Sequence, residues 1–149
     1  MSWLDGLAEY LADELGLEWS PNTPYREGDI AVVLEDVPAQ PVELLVLTGY
    51  AGARSNTLGG TDDPRLQIRT RSAVLADSRD RCQGAYDVLH GLGPLTLPDG
   101  TEVQLVVGRD SGPAFIGRDD AGHPEHTANF DVSIYNPNRR GRSRSSSNG

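Results

Sequence analysis

The sequence predicts an α+β domain: a largely antiparallel sheet with two helices packed on one face, in the order α-β-β-β-α-β-β-β-β. Two segments carry apolar residues at helical spacing, and several short segments have the alternating or continuously apolar pattern of strands, with turn signals between them. The chain has 149 residues, 37% of them hydrophobic, with 17 Gly and 10 Pro. This length and composition favour one domain with a single core and many turns.

The first helix is predicted near the start of the chain. Its apolar face consists of residues at helical spacing, namely Leu4, Leu7, Ala8, Leu11 and Leu15. Ser2 is suited to cap the first turn, with Asp5 in the reciprocal position of a capping box. Gly16 is suited to end the helix, because glycine adopts the left-handed conformation without strain.

Two strands and a long loop follow this helix. Ile30 to Leu34 and Val42 to Thr48 are predicted strands, and the apolar sequence of the second predicts a central position in the sheet. Residues 49–63, GYAGARSNTLGGTDD, are rich in glycine and are predicted to form a loop. No Gly-Lys-Ser/Thr ends this stretch and no helix follows it, so a phosphate-binding P-loop is excluded. A flexible assembly arm and a merely tolerated loop remain as alternatives.

The next predicted strand, PRLQIRTRS at residues 64–72, is unusually rich in cations. Alternation sends one set of side chains towards the helices and the other set to the opposite face. The inward set is Leu66, Ile68 and Thr70, and the outward set includes Arg65, Arg69 and Arg71. Two interpretations remain open: acids on neighbouring strands neutralise the arginines, or an acidic copy of the same protein lies against them, since Arg is favoured at interfaces.

A second helix and two hairpins complete the domain. Asp77 or Ser78 can cap the helix and Gly91 can end it. Its apolar face consists of Cys82, Ala85, Tyr86 and Leu89. The hairpins are predicted to turn at residues 98–100 and 119–122, where Pro, Asp and Gly cluster.

Charge is distributed unevenly along the chain. The formal net charge is -9, yet Arg139, Arg140, Arg142 and Arg144 lie in a C-terminal stretch without acids. We therefore expect one acidic domain at residues 1–136 and a disordered Arg/Ser-rich tail at 137–149. An acidic body is a poor non-specific binder of nucleic acid. The N-terminal segment lacks the pattern of a signal peptide and no apolar run is long enough to span a membrane, which predicts a protein made in the cytoplasm.

The candidate chemical groups do not form an enzyme motif. His123 and His126 flank Glu125 in HPEH, but Gly122 and Pro124 favour a turn over the helix that such a metal motif needs. Cys82 is the only cysteine and lies on the apolar face of the second helix, where a thiol behaves as a small hydrophobe. Weak calcium binding by the acidic turns is an alternative to ordinary solvated turns. We predict no catalytic residues, no cofactor and no metal.

Several short segments follow one another in a recognisable order: Gly49-Tyr50, PRLQIRTR at 64–71, AYDVLHGL at 85–92, LPDG at 97–100, SGP at 111–113, GRD at 117–119 and TANF at 127–130. In this order they resemble the tail terminator proteins of long-tailed bacteriophages, in particular an actinobacterial phage and prophage group labelled minor capsid protein. The resemblance extends over about residues 1–136. Each segment is a strand or turn pattern, and their order and spacing carry the resemblance.

The resemblance implies a structural virion protein. It implies a homohexameric ring that caps the tail tube, stops tube growth and joins the tail to the neck of the head, after assembly in the host cytoplasm. The expected partners are other copies of the chain, the major tail tube protein and a head-tail connector or neck protein, with phage DNA passing through without specific binding. The candidate interface residues are Arg65, Arg69, Arg71, Gly49, Tyr50, Arg54, Gly59 and Gly60.

Two alternatives are retained. A head completion protein or another head-tail joining protein would use a subunit of the same size and similar contacts. A small cytoplasmic ligand-binding protein, with the glycine-rich stretch as a lid, belongs to a different class.

Overall fold

The computed structural model describes residues 2–56 and 61–135, and the side chains of residues 2–50 and 62–135. The two helices are α1 (Trp3–Leu15) and α2 (Leu75–Leu89). The strands of the described part are β1 (Glu18–Trp19), β2 (Ala31–Leu34), β3 (Leu44–Asn56), β4 (Thr61–Arg71), β5 (Leu95–Thr96), β6 (Glu102–Gly108), β7 (Ala114–Arg118) and β8 (Pro124–Tyr135). The predicted α+β class and element order are confirmed, with a two-residue strand, β1, in addition.

Helix α1 begins and ends where the sequence predicted. The Ser2 hydroxyl accepts a hydrogen bond from the Asp5 backbone N–H at 3.5 Å, and the Asp5 carboxylate accepts one from the Ser2 N–H at 2.8 Å. Gly16 ends the helix in the left-handed region, with φ 69°. The hydrogen bonds between Ser2 and Asp5 satisfy backbone groups that the start of a helix otherwise leaves unpaired.

Helix α2 begins two residues earlier than Asp77, so the predicted cap is wrong. Val74 occupies the N-cap position and makes no side-chain capping bond. The Val74 N–H donates instead to the Ser72 hydroxyl at 3.1 Å, and this bond holds the backbone in place where the chain enters α2. Ser78 is buried within the helix, where it contributes to packing rather than to the cap. The predicted end is confirmed, with Gly91 at φ 82° just after the cap residue His90.

The sheet has the strand order β1-β2-β3-β4-β8-β6-β5, and β7 pairs with β8 beside β6. Strands β1, β2 and β3 are parallel, whereas the other pairs are antiparallel. Residues Leu44 to Leu47 of β3 are fully buried between β2 and β4. The predicted central strand is therefore confirmed, as are both predicted hairpins.

The loop predicted for residues 49–63 is largely wrong. Strand β3 continues to Asn56 and β4 starts at Thr61, with Ala53 paired to Asp63. Two register shifts lie between Tyr50 and Asn56, so β3 carries bulges in place of an irregular loop. Strand β8 pairs along β4 from Thr61 to Arg71, and this long-range pairing outweighs the local preference of glycine for turns.

The main core lies between the helices and one face of the sheet. It contains Leu7 and Leu11 of α1, Cys82 and Leu89 of α2, and Phe130 of β8, all buried. A second, smaller cluster lies on the opposite face, hereafter the outer face, at the β2–β3 end. It consists of Ala31, Leu44 and Val46, with Tyr25, Val33 and Val37 packed against them. The rest of the outer face is the side on which the arginines were predicted.

Candidate interaction surface

Strand β4 presents its two faces as the alternating pattern predicted. Leu66, Ile68 and Thr70 are buried on the helix side. Arg65 and Arg69 extend from the outer face and remain partly exposed. The strand therefore serves as a wall of the core and as the middle of an outer surface, because successive side chains of a strand point to opposite faces.

One row of this surface runs across four strands. Tyr50 of β3 is opposite Arg65 of β4, Arg65 is opposite Asp131 of β8, and Asp131 is opposite Val107 of β6. Arg65 Nε lies 3.8 Å from one oxygen of Asp131, and Arg109 Nε lies 3.8 Å from the other. The Asp131 carboxylate thus lies between two cations, and the row ends in a large exposed side chain at each side.

Arg69 is paired in a similar way one step further along β4. Its Nε lies 3.7 Å from a Glu125 carboxylate oxygen on β8. This distance is too long for a hydrogen bond, and the buried Nε has no other hydrogen-bond partner in the described part of the chain. The pair therefore neutralises charge without fixing the guanidinium tightly.

Arg71 differs from the other two arginines, and its predicted exposure on the outer face is wrong. Only 4% of the residue is exposed, because the segment before β3 covers it. Its guanidinium donates to backbone carbonyl oxygens at 2.7 to 3.3 Å, those of Pro38, Ala39, Pro41 and Val42. Asp119 lies 3.6 Å away and balances the charge. Arg71 therefore holds the 38–42 segment against the sheet and has no surface to offer a partner.

The remaining candidate residues are distributed over different environments. Gly49 lies against helix α1, where an added Cβ would lie 3.2 Å from both Trp3 and Leu4, so this glycine allows close packing. Tyr50 stands exposed at the edge of β3. Arg54 belongs to β3, but its side chain lies outside the described residues, and Gly59 and Gly60 lie outside them entirely.

The pairing explains why a cation-rich strand occurs in an acidic chain. Arg65, Arg69 and Arg71 each have a carboxylate partner within 4 Å, from β8 or from the turn before it. Of the two interpretations left open, neutralisation by neighbouring acids therefore accounts for these charges within one subunit. The Arg65–Asp131 pair is exposed, and a surface pair of this type contributes little stability.

Two exposed apolar residues on β6 were missed by the sequence reasoning. Strict alternation from Val103 would bury Leu105 and Val107 on the same face. A register shift between Val103 and Leu105 instead buries Val103 and Val106. Leu105 and Val107 consequently line a recess of about 400 Å³ on the outer face, together with Asp63, Arg65, Asp131, Val132 and Ser133. The only sign of this in the sequence is that Val106 and Val107 are adjacent apolar residues in VQLVV, which breaks the alternation of a regular strand.

The buried polar groups on the helix side form a packing network. His126 Nδ1 lies 2.8 Å from the Ser78 hydroxyl, and the Thr70 hydroxyl donates to the Ser78 carbonyl at 2.8 Å. Burial, together with the nearby Arg79 cation, lowers the pKa of His126, which keeps the ring neutral. Burial also raises the pKa of the Cys82 thiol to about 12, so the reactive thiolate is absent at neutral pH.

The two histidines of the HPEH segment do not converge. His126 is buried under α2, whereas His123 lies in the turn, 3.5 Å from Asp119. The Asp119 carboxylate accepts backbone N–H groups of His123 and Ala121, and the His123 bond is the main cause of its lowered pKa. No group of three or more His, Cys, Asp or Glu in residues 2–56 and 61–135 is arranged to hold a metal ion.

Comparison with known proteins places the chain in a class and then in a family. A family model described as "Bacteriophage tail terminator protein" matches residues 10–136, which is most of the chain. The class is that of structural proteins of the phage particle. More narrowly, it belongs to the bacteriophage tail terminator family. A search of curated proteins found no match.

In the described part of the chain, neither α1 nor α2 has the length and apolar character that crossing a bilayer demands.

Proposed function

We propose that the protein forms a homohexameric ring that caps the completed tail tube, stops its growth and joins it to the neck of the head. The observation that carries this proposal is the family match over residues 10–136. Within the ring, each subunit contacts other copies of the chain. The ring as a whole contacts the major tail tube protein and a head-tail connector or neck protein. Residues 1–136 form the ring-building domain, and the Arg/Ser-rich segment 137–149 lies outside it.

The outer face supplies one of the surfaces on which such a ring depends. Closed rings need heterologous contacts, in which two different patches of each subunit meet. Tyr50, Arg65 and Arg69 share the outer face, where Asp131, the ion-pair partner of Arg65, is exposed. We assign this face to the contacts between neighbouring subunits. Arg71 and Gly49 are excluded from it by the packing described above.

The acidic charge of the body suits a passage for DNA. Six copies carry a formal charge of -54, six times the -9 of one chain. Carboxylates that line the channel would repel phosphates and keep the duplex from adhering to the wall. Phage DNA would then pass through the ring without specific binding.

The test is electron microscopy of lysates from a phage that lacks this gene, with tail length and head attachment scored in the same images. The expected result is overlong tails without heads, because nothing stops tube growth or prepares the tube for the neck. Tails of normal length beside separate filled heads would contradict termination and would indicate a head completion or head-tail joining protein. Virions with unaltered tails would contradict both functions.

The ligand-binding alternative depended on a glycine-rich lid. Residues on both sides of the 57–60 segment are paired as β3 and β4, so the described part of this stretch is a ladder of strands and not a lid. We therefore do not propose that function.

A further inference from the structure

Two exposed apolar features lie at opposite ends of one row of the outer face. Tyr50, 51% exposed, ends the row on β3. Val107, 40% exposed, ends it on β6, beside Leu105, which is 46% exposed. The strands β4 and β8 separate the two features. A single exposed side chain is ordinary, but Leu105 and Val107 share one recess, and contiguous apolar surface of this kind marks interaction sites.

The strand edge beside Tyr50 is open. Strand β2 pairs with β3 only from Leu44 to Leu47. From Thr48 to Asn56 the described backbone has a strand partner on one side only, which is β4. An edge of this kind presents N–H and C=O groups that another chain can use. Tyr50 stands at the start of this open segment.

The recess at the other end of the row suits a tyrosine. Leu105 and Val107 provide aliphatic contact, and Asp63, Asp131 and Arg65 are among the other residues that line the recess. A tyrosine combines a broad apolar ring with a hydroxyl donor, and it is enriched at the core of interfaces for this reason. A carboxylate can accept a hydrogen bond from the hydroxyl while the ring covers the aliphatic side chains.

We propose that Tyr50 and the open edge of β3 in one subunit pack against the Leu105–Val107 recess of the next subunit. This contact rests on the ring proposed above and identifies the surfaces that close it. The two surfaces differ in chemistry and lie at opposite ends of one row of the outer face. The contact is therefore heterologous: each subunit uses its tyrosine towards one neighbour and its recess towards the other.

The experiment uses three full-length variants, Tyr50→Asp, Leu105→Asp and the control Val74→Asp. Each changed side chain is about half exposed, so the subunit fold should persist. Val74 is 52% exposed at the N-cap of α2, away from both surfaces, and Asp is a favoured N-cap residue. Circular dichroism verifies the fold, and Val107→Asp provides a second change in the recess.

Sedimentation velocity and native mass spectrometry of the purified chains give the assembly state. We expect rings for wild type and Val74→Asp and monomers for Tyr50→Asp and Leu105→Asp. An equimolar mixture of the two monomeric variants should give 1:1 dimers and nothing larger. The reason is that only the recess of the Tyr50→Asp chain and the tyrosine of the Leu105→Asp chain remain intact.

The outcomes separate this contact from the ring itself. Wild-type rings together with rings of either folded single variant would overturn the contact and leave the ring in place. Monomeric variants whose mixture stays monomeric would overturn the pairing of these two surfaces. A wild-type chain that stays monomeric over the whole concentration range would overturn both the ring and the contact.

Discussion

At the scale of single residues, the arginines of β4 show how one sequence pattern serves different purposes. Arg65 and Arg69 are surface cations with carboxylates nearby, whereas Arg71 is buried and donates to several carbonyl oxygens. Alternation predicts the face on which each guanidinium lies. It does not predict that the segment 38–42 folds over one of them, because that segment comes from a distant part of the chain.

Replacement of Arg71 is expected to destabilise the subunit strongly. Arg71→Ala leaves the carbonyl groups of the 38–42 segment without their donor and Asp119 without its cation, so we expect a loss of about 2 to 4 kcal/mol in the free energy of unfolding. Arg65→Ala is the matched control and should cost less than about 1 kcal/mol, since its ion pair is exposed. Urea unfolding measures both, and equal losses would contradict the assignment of Arg71.

The buried His126 predicts a dependence of stability on pH. Its pKa in the folded chain lies below the ordinary value of 6.5, mainly through burial, so the unfolded chain binds a proton more readily. The contribution of His126 to the free energy of unfolding should be complete above about pH 6.5 and should decrease as the pH falls below that value. The pKa values of Glu43 and Asp119 are lowered from 4.5 and 3.8, so these carboxyl groups titrate at lower pH and do not produce the change just below pH 6.5.

Chemical denaturation between pH 5 and 8 measures this effect. The variant His126→Gln removes the titrating ring and should flatten the profile across this range. His123→Gln, which changes the less buried histidine of the turn, is the matched control and should keep the slope. A wild-type profile without a slope between pH 5 and 6.5 would contradict the role of the buried ring.

At the scale of elements, the sequence predicts those whose signals are local. The capping box and Gly16 delimit α1, and turn residues mark the two hairpins. The extended β3–β4 ladder and the exposure of Leu105 were not predicted. Both depend on bulges, and a bulge is set by pairing with a distant strand rather than by the residues on either side of it. Tyr50 and Arg65 of the candidate surface could therefore be predicted from the sequence. The recess on β6 could be found only from the fold.

Two helical glycines should respond oppositely to the same substitution. Gly84 of α2 has its nearest neighbour, a Leu15 methyl group, 3.6 Å from an added Cβ, so Gly84→Ala should stabilise by about 0.5 to 1 kcal/mol. At Gly6 of α1 the added Cβ would lie 2.2 Å from Asp99 Oδ1. Thr101 holds that carboxylate by its N–H and hydroxyl, at 3.2 and 2.7 Å, which prevents easy movement.

Gly6→Ala should therefore destabilise by about 1 to 3 kcal/mol, the usual cost of overpacking. Thermal and urea unfolding of the two variants give the comparison. Stabilisation by both substitutions would show that helix propensity alone decides, and would contradict the close contact between α1 and the turn before β6.

At the scale of the whole molecule, assembly determines what the subunit does. The family match identifies a tail terminator, and the described part of the chain offers a sheet face with paired charges, an open strand edge and an apolar recess. None of these is a catalytic device. In the ring proposed above, each of these features would act through a second copy in the correct orientation.

The most direct test is an averaged cryo-electron microscopy map of the tail at its head-proximal end, from particles that carry the wild-type protein. The account predicts six-fold density at the last ring of the tube, into which six copies of this α+β subunit fit with β3 of one beside β6 of the next. Density for the subunit at the distal tip, along the tube or within the head shell would contradict the account, as would a ring of different symmetry.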